Sequence, residues 1–187
     1  MRFFLSPPAG WAPRGLSAEE RALAAEIFAD SLVCEPVRLT RDSVMALGAP
    51  KAIGNTIHLR SDWGHFVGDT LSLTREGRVT LIHELVHVWQ FQNGGLAYIP
   101  SSLVAQLSAW LQTGSRGGAY RWRQALERAR PWHAWNPEQQ AQAVEEFAGS
   151  SWRIASGRGT PSDVQIVTLL TPVVAQLRQG EGAARFW

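Results

Sequence analysis

Hydrophobic and polar positions follow two different periods along the chain, and the change comes near residue 78. Before it, Ser17-Ala18-Glu19-Glu20 has the pattern of a capping box and predicts a helix that runs to about Asp30. Short apolar runs follow, separated by glycine and proline, and they predict strands near 32–39, 55–60 and 69–73. The segment from about 15 to 75 is therefore expected to hold one helix and a small sheet.

The second half of the chain has the longer period of amphipathic helices. The predicted helices lie near 78–93, 101–113, 118–130, 137–155 and 161–179. Strands first and helices later are typical of an α+β fold, here a small N-terminal β-sheet packed on a predominantly helical C-terminal part at about 100–180. We expect a single domain over 1–187, with a loose tail from Gly180 onward.

Composition agrees with one self-sufficient core. The chain has 187 residues, of which 45% are hydrophobic, so it can bury a core without disulfides, and its single cysteine cannot form an internal bridge. The net charge of +2 is too small to imply a nucleic-acid ligand, and the arginine-rich stretch within 116–130 is interpreted as a solvated helix face. The apolar patch at 1–8 is too short for a signal peptide, and no run approaches a membrane span. We therefore expect a soluble protein that starts in the cytoplasm.

The pentad His83-Glu84-Leu85-Val86-His87 carries the most direct chemistry in the sequence. On a helix, positions i and i+4 lie on one face, so the two imidazoles can converge on one metal ion. Zinc readily accepts neutral imidazole and, in catalytic sites, keeps one position open for water. Glu84 lies beside the first histidine, where its carboxylate can take a proton from that water. The apolar flanks of the motif predict a buried helix, in which an unpartnered histidine pair would be costly.

A catalytic zinc site needs a third protein ligand, and the best source is the helix that Asn136 caps and Pro137 begins. Its acids Glu138, Glu145 and Glu146 are the candidates. Glu138 is preferred, since it lies one turn before Ala141 on a narrow apolar stripe suited to close packing. Glu145 and Glu146 remain alternatives, and all three would also suit a solvated helix surface.

Two segments carry a family resemblance: 81–100, with its H-E-x-x-H motif, and 136–141, with the pattern N-P-E-Q-Q-A. They resemble small zincin metallopeptidases of bacteria associated with Rhs and Vgr proteins, and the metallopeptidase-like core domain of contractile injection systems. The resemblance covers roughly residues 53–148. It implies a zincin-like fold, a bound Zn²⁺ and a gluzincin-like ligand set, in which the glutamate of a Glu-x-x-Ala signature, here Glu138, is the third zinc ligand.

The function expected from these observations is zinc-dependent hydrolysis of peptide bonds, with His83, His87 and Glu138 as metal ligands and Glu84 as general base. The alternative is a zinc-stabilised, non-catalytic adaptor or core module of a bacterial secretion or toxin assembly. The expected partners are accordingly a peptide or protein substrate, or a protein of such an assembly, and export by a contractile injection system would need no classical signal. By resemblance, the stretch 55–60 is the candidate sheet edge for an extended substrate. His58 and His65 are either cleft residues or ordinary surface histidines.

Overall fold

The computed structural model describes residues 12–43, 45, 49–95 and 122–183, and it confirms the predicted α+β class. The helices within these ranges are α1 (Ala18–Phe28), α2 (Arg75–Gly94), α3 (Trp122–Glu127), α4 (Pro137–Ala155) and α5 (Pro161–Arg178). The strands are β1 (Arg38–Arg41), β2 (Lys51–Ile53) and β3 (Thr56–Leu59). Short 3₁₀ turns follow α1 at Ala29–Ser31 and precede α4 at Trp132–Ala134. No helix among the described residues is long and apolar enough to span a bilayer.

The three strands form one sheet in the order β1-β3-β2. Strand β3 pairs parallel with β1 and antiparallel with β2, and the two-residue turn between β2 and β3 includes Gly54 at φ +60°. The expectation that 55–60 forms a sheet edge is therefore wrong. The outer strand on that side is β2, which the sequence did not reveal because three residues are too short for a pattern of alternation.

Two other strand predictions also need correction. The run 32–39 becomes a strand only from Arg38 onward, since its earlier part turns back through Val37, whose N–H donates to the carbonyl of Cys34. The run 69–73 is not a strand, and it contributes only an isolated bridge between Phe66 and Leu73. The predicted helix near 101–113 lies outside the described residues.

Helix α2 is the centre of the fold, because it packs against β2, β3 and α4. Thr74 caps its start by accepting a hydrogen bond from the N–H of Gly77, and the helix ends at Gly94, where it is capped by Gly95 at φ +74°. The apolar side chains around its two histidines are fully buried, namely Leu81, Ile82, Leu85, Val86, Val88 and Trp89. Burying a large apolar side chain contributes about 1.5–3 kcal/mol, so this helix is held firmly in place.

Helix α4 has the boundaries that the sequence predicted. The Asn136 side chain accepts a hydrogen bond from the N–H of Gln139, and the N–H of Asn136 donates one to Oε1 of Gln139. Pro137 occupies the first turn. This capping box fixes the direction in which α4 leaves the preceding 3₁₀ turn. Helix α4 consequently packs against α2, and α5 packs against α4 as well.

The predicted loose tail is wrong for its described part, 180–183. The indole N–H of Trp132 donates to the carbonyl of Glu181 at 3.0 Å, and the amide of Gln140 donates to the carbonyl of Gly182 at 2.9 Å. Ala183 is buried. This segment is therefore docked against the start of α4, which a sequence rich in glycine and polar residues did not suggest.

Candidate metal centre

The structure brings His83, His87 and Glu138 together at the contact between α2 and the first turn of α4. One helical turn separates the two histidines, and their ring centroids lie 5.1 Å apart. The Oε2 atom of Glu138 lies 3.5 Å from Nε2 of His83 and 3.6 Å from Nε2 of His87. These three side chains form a group that could hold a metal ion.

The spacing of these atoms suits a shared cation. Both distances exceed the usual N–H···O hydrogen-bond length of about 2.7–3.2 Å. Ligands arranged tetrahedrally at about 2.0–2.1 Å from one zinc ion stand about 3.3–3.4 Å apart. The observed 3.5 and 3.6 Å separations are close to that value, and all three candidate ligand atoms lie within 4.8 Å of one another.

The second nitrogen of each imidazole is already engaged by the protein. Nδ1 of His83 lies 2.8 Å from Oε2 of Glu145, and Nδ1 of His87 lies 2.8 Å from Oε1 of Gln90. When the ring is neutral, an oxygen acceptor at Nδ1 keeps the proton there and leaves the lone pair on Nε2, which is the nitrogen that faces Glu138. Both histidines are thus oriented with the same nitrogen toward the common point.

The three candidate acids of α4 have three different surroundings. Glu138 is buried and faces both Nε2 atoms. Glu145, two turns further along the helix, contacts the opposite nitrogen of His83. Glu146 pairs with Arg123 at 3.1 Å. Of these acids, Glu138 is therefore the one placed in the ligand group, while Glu145 is placed to support a ligand.

Glu84 is almost fully buried beside this group, at 4% exposure. Its carboxylate accepts a hydrogen bond from the N–H of Ala52 in β2. Its Oε2 atom has no hydrogen-bond partner among the described residues. A buried carboxylate oxygen without a partner is expensive, so the residues present fit a site that is completed by a cation and a polar ligand.

Charges within the site are strongly coupled. Burial opposes a charge on His83, but the neighbouring carboxylates of Glu138 and Glu145 outweigh that effect and raise its pKa to about 10. Burial opposes a charge on His87 as well, and Glu138 nevertheless raises its pKa. The two imidazoles in turn hold the pKa of Glu138 far below its usual range despite burial. Burial raises the pKa of Glu84, which suits a carboxylate that takes up a proton.

The other histidines of interest lie elsewhere. His58 and His65 are 8% and 3% exposed, so neither is a surface histidine, and neither belongs to the ligand group. Nδ1 of His58 pairs with the Thr40 hydroxyl at 2.8 Å, and Nδ1 of His65 accepts from the backbone N–H of Arg60 at 3.3 Å. These contacts identify both rings as parts of the sheet and the loop that follows it.

Comparison with known proteins gives one partial similarity. The chain is 35% identical over 99 residues to the type VI secretion system spike protein VgrG2b of Pseudomonas aeruginosa. The aligned part is 48% of this chain but only 9% of that protein's length. No protein-family model matches the chain, and no solved structure matches it.

Proposed function

We propose that this protein is a zinc-dependent hydrolase that cleaves peptide bonds. The observation that carries the proposal is the unpartnered, buried Oε2 of Glu84 next to the group formed by His83, His87 and Glu138. A site built only to hold a metal has no use for a second buried acid, beside Glu138, whose oxygen lacks a hydrogen bond. A hydrolase does, because that oxygen can accept the proton of an attacking water.

The chemistry divides between the cation and the chain. A bound zinc ion would lower the pKa of water toward about 7 and polarise the scissile carbonyl. The Oε2 atom of Glu84 accepts a proton from the attacking water. Glu84 then delivers that proton to the leaving amine. The N–H of Ala52 holds the Glu84 carboxylate in place while the proton moves. The raised pKa of Glu84 lets the same group serve first as base and then as acid.

The competing proposal is a metal-stabilised adaptor within a secretion assembly. It is favoured by the partial similarity to a protein named as a spike protein of a type VI secretion system. In that case the cation would contribute to folding and Glu84 would orient a neighbouring group. The two proposals predict opposite results when Glu84 loses its charge.

The test is the variant E84Q beside the control E76Q, which changes an exposed acid in the first turn of the same helix. We expect E84Q to keep about one zinc ion per chain by elemental analysis, and to lose about 10²–10⁴-fold in cleavage of a peptide library. E76Q should match the wild type in both measurements.

Three outcomes would reject the hydrolase. Loss of zinc from E84Q, with a drop of about 2 kcal/mol or more in the free energy of unfolding, would give Glu84 a structural role. A zinc-loaded wild type that cleaves no member of the library would favour the adaptor. A wild type that remains empty after zinc is added would reject both proposals.

A further inference from the structure

Behind His87, two glutamine side chains form a continuous buried chain of hydrogen bonds. Gln90 Oε1 accepts from His87 Nδ1 at 2.8 Å, and Gln90 Nε2 donates to Gln140 Oε1 at 2.8 Å. Gln140 Nε2 then donates to the carbonyls of Trp132 and Gly182 at 3.1 and 2.9 Å. Both glutamines are fully buried. We call this chain, from His87 through Gln90 and Gln140 to the two carbonyls, the amide relay.

The orientation of each amide in the relay is fixed by backbone carbonyls, which can only accept hydrogen bonds. The two carbonyls that face Gln140 require its nitrogen, so its oxygen must face Gln90. Gln90 must then present its nitrogen, which also donates to the carbonyl of Pro137 at 3.1 Å. Its oxygen is left facing His87. Flipping either amide would set oxygen against oxygen at two contacts, so the flipped arrangements are strongly disfavoured.

The relay therefore dictates where His87 carries its proton. Because Gln90 presents an acceptor, Nδ1 of His87 must be the donor, and the lone pair of the neutral ring lies on Nε2. That nitrogen faces Glu138 at 3.6 Å. We propose that Gln90 is a positioning residue that prepares His87 for the metal by fixing this tautomer. The inference rests on the metal site of the proposed function.

Gln90 also ties a second ligand to the first. Pro137, whose carbonyl it binds, is the residue before Glu138 at the start of α4. One side chain thus holds the ring of His87 and the backbone next to Glu138. It does so without adding negative charge, in a site that already contains the carboxylates of Glu84, Glu138 and Glu145.

The simpler alternative is that Gln90 only joins α2 to α4. The chain offers a matched control in Gln92, which lies on the same helix and also hydrogen-bonds to backbone groups that are distant in sequence. Gln92 binds the N–H and the carbonyl of Val33 at 2.8 and 2.9 Å and the side chain of Asn55 at 2.9 Å. Losing it removes tertiary hydrogen bonds but leaves both imidazoles untouched.

The experiment compares Q90M, Q140M and Q92M with the wild type, using Zn²⁺ itself as the probe in competition with a chelator. We expect Q90M to bind zinc about 10–100-fold more weakly and Q140M to show a smaller loss. Q92M should stay within about twofold of the wild type, even if it unfolds more easily. A general loss of packing would not produce this order.

A second readout follows the proton itself. In protein labelled with ¹⁵N-histidine, the Nδ1 proton of His87 should be protected from solvent exchange in the wild type and in Q92M, and lost in Q90M. This signal exists with or without metal, since Nδ1 carries a proton in either state. If Q90M does not fold, Q140M takes its place in both measurements.

Equal zinc affinity in Q90M and the wild type, or equal losses in Q90M and Q92M, would overturn the inference. So would a wild-type His87 that lacks a protected Nδ1 proton. A wild type that binds no zinc but retains that proton would reject the proposed function and leave the hydrogen-bond assignment standing. The two failures are therefore distinguishable.

Discussion

Neutralising each of three acids on α4 in turn should separate a metal ligand from its support and from a bystander. The variants are E138Q, E145Q and E146Q. Each removes one negative charge and keeps nearly the same shape. Glu145 and Glu146 are adjacent in sequence, and their side chains are similarly exposed, at 24% and 26%. A long-range electrostatic effect on cation affinity should therefore be similar for both.

The expected magnitudes follow from what each acid touches. Glu145 makes a 2.8 Å charge-assisted hydrogen bond to Nδ1 of His83, and such bonds exceed neutral ones by about 1–1.5 kcal/mol. E145Q should thus weaken zinc binding by about tenfold, since 1.4 kcal/mol corresponds to a factor of ten. E138Q removes the carboxylate that faces both Nε2 atoms and should weaken binding by more than about 100-fold, beyond the range for supporting groups. Glu146 pairs with Arg123 and accepts a hydrogen bond from Gln142, but it contacts neither histidine, so E146Q should change zinc affinity by less than about twofold.

The assay is zinc competition with a chelator of known affinity at constant pH, with circular dichroism to confirm that each variant is folded. The ordering matters more than any single value. If E146Q weakens binding as much as E145Q, the effect is one of net charge and the contact to His83 contributes nothing. If E145Q weakens zinc binding more than E138Q does, Glu145 is the ligand and the assignment of Glu138 is wrong.

Two further predictions concern the frame around the site. G77A would place a Cβ against the carbonyl oxygen of His65, so it should lower the free energy of unfolding by about 1–3 kcal/mol. G149A, whose Cβ would meet only the flexible end of an arginine, should not lower it, and equal thermal shifts would refute the contrast. Burial lowers the pKa of His58, so its contribution to stability is present above about pH 6.5 and is lost as the pH falls from there toward the lowered pKa. The free energy of unfolding of the metal-free wild type, measured in urea, should therefore fall more steeply below about pH 6.5 than that of H58Q. Parallel dependence on pH in the two proteins would contradict this.

Local signals predicted the helices that carry the site. The capping box of Asn136 and the proline after it define the start of α4, and the structure has the predicted bounds Pro137–Ala155. Helix α2 starts at Arg75, a turn earlier than the predicted start near 78. Gly77 had hidden that first turn, because glycine weakens a helical pattern. The structure shows that close approach of the His65 carbonyl leaves no room for a side chain there.

The sheet was less accessible to sequence reasoning. Strand β2 has three residues, and the parallel pairing of β1 with β3 joins segments whose partners lie 18 residues apart, as Arg38 and Thr56 do. Neither short apolar runs nor turn residues encode which strand will be central. The outer strand was therefore misassigned, and no pattern in the sequence indicated that the N–H of Ala52 in β2 hydrogen-bonds to Glu84.

Within the site, the histidines were visible because both lie on one helix at a fixed spacing. The hydrogen bond from His87 to Gln90 was not visible in the sequence. Gln90 does follow His87 at i+3, a spacing that places two side chains on one helix face. What fixes the role of Gln90 is the carbonyl of Pro137, which belongs to another helix. The role of a glutamine depends on which end of its amide is constrained, and that is a tertiary property.

The site combines polar groups whose hydrogen bonds are satisfied with one that is left open. Gln90 and Gln140 are fully buried and make every contact that their amides need, whereas Glu84 has a buried oxygen without a partner among the described residues. Structural zinc sites close their fourth position with a protein ligand, but the group in the described part of the chain has three members. The unpartnered oxygen and the absence of a fourth ligand in that part occur at the same place. In the proposed hydrolase, a carboxylate is kept there at a cost in stability because it deprotonates a water, a role that a metal which only holds the fold together would not require.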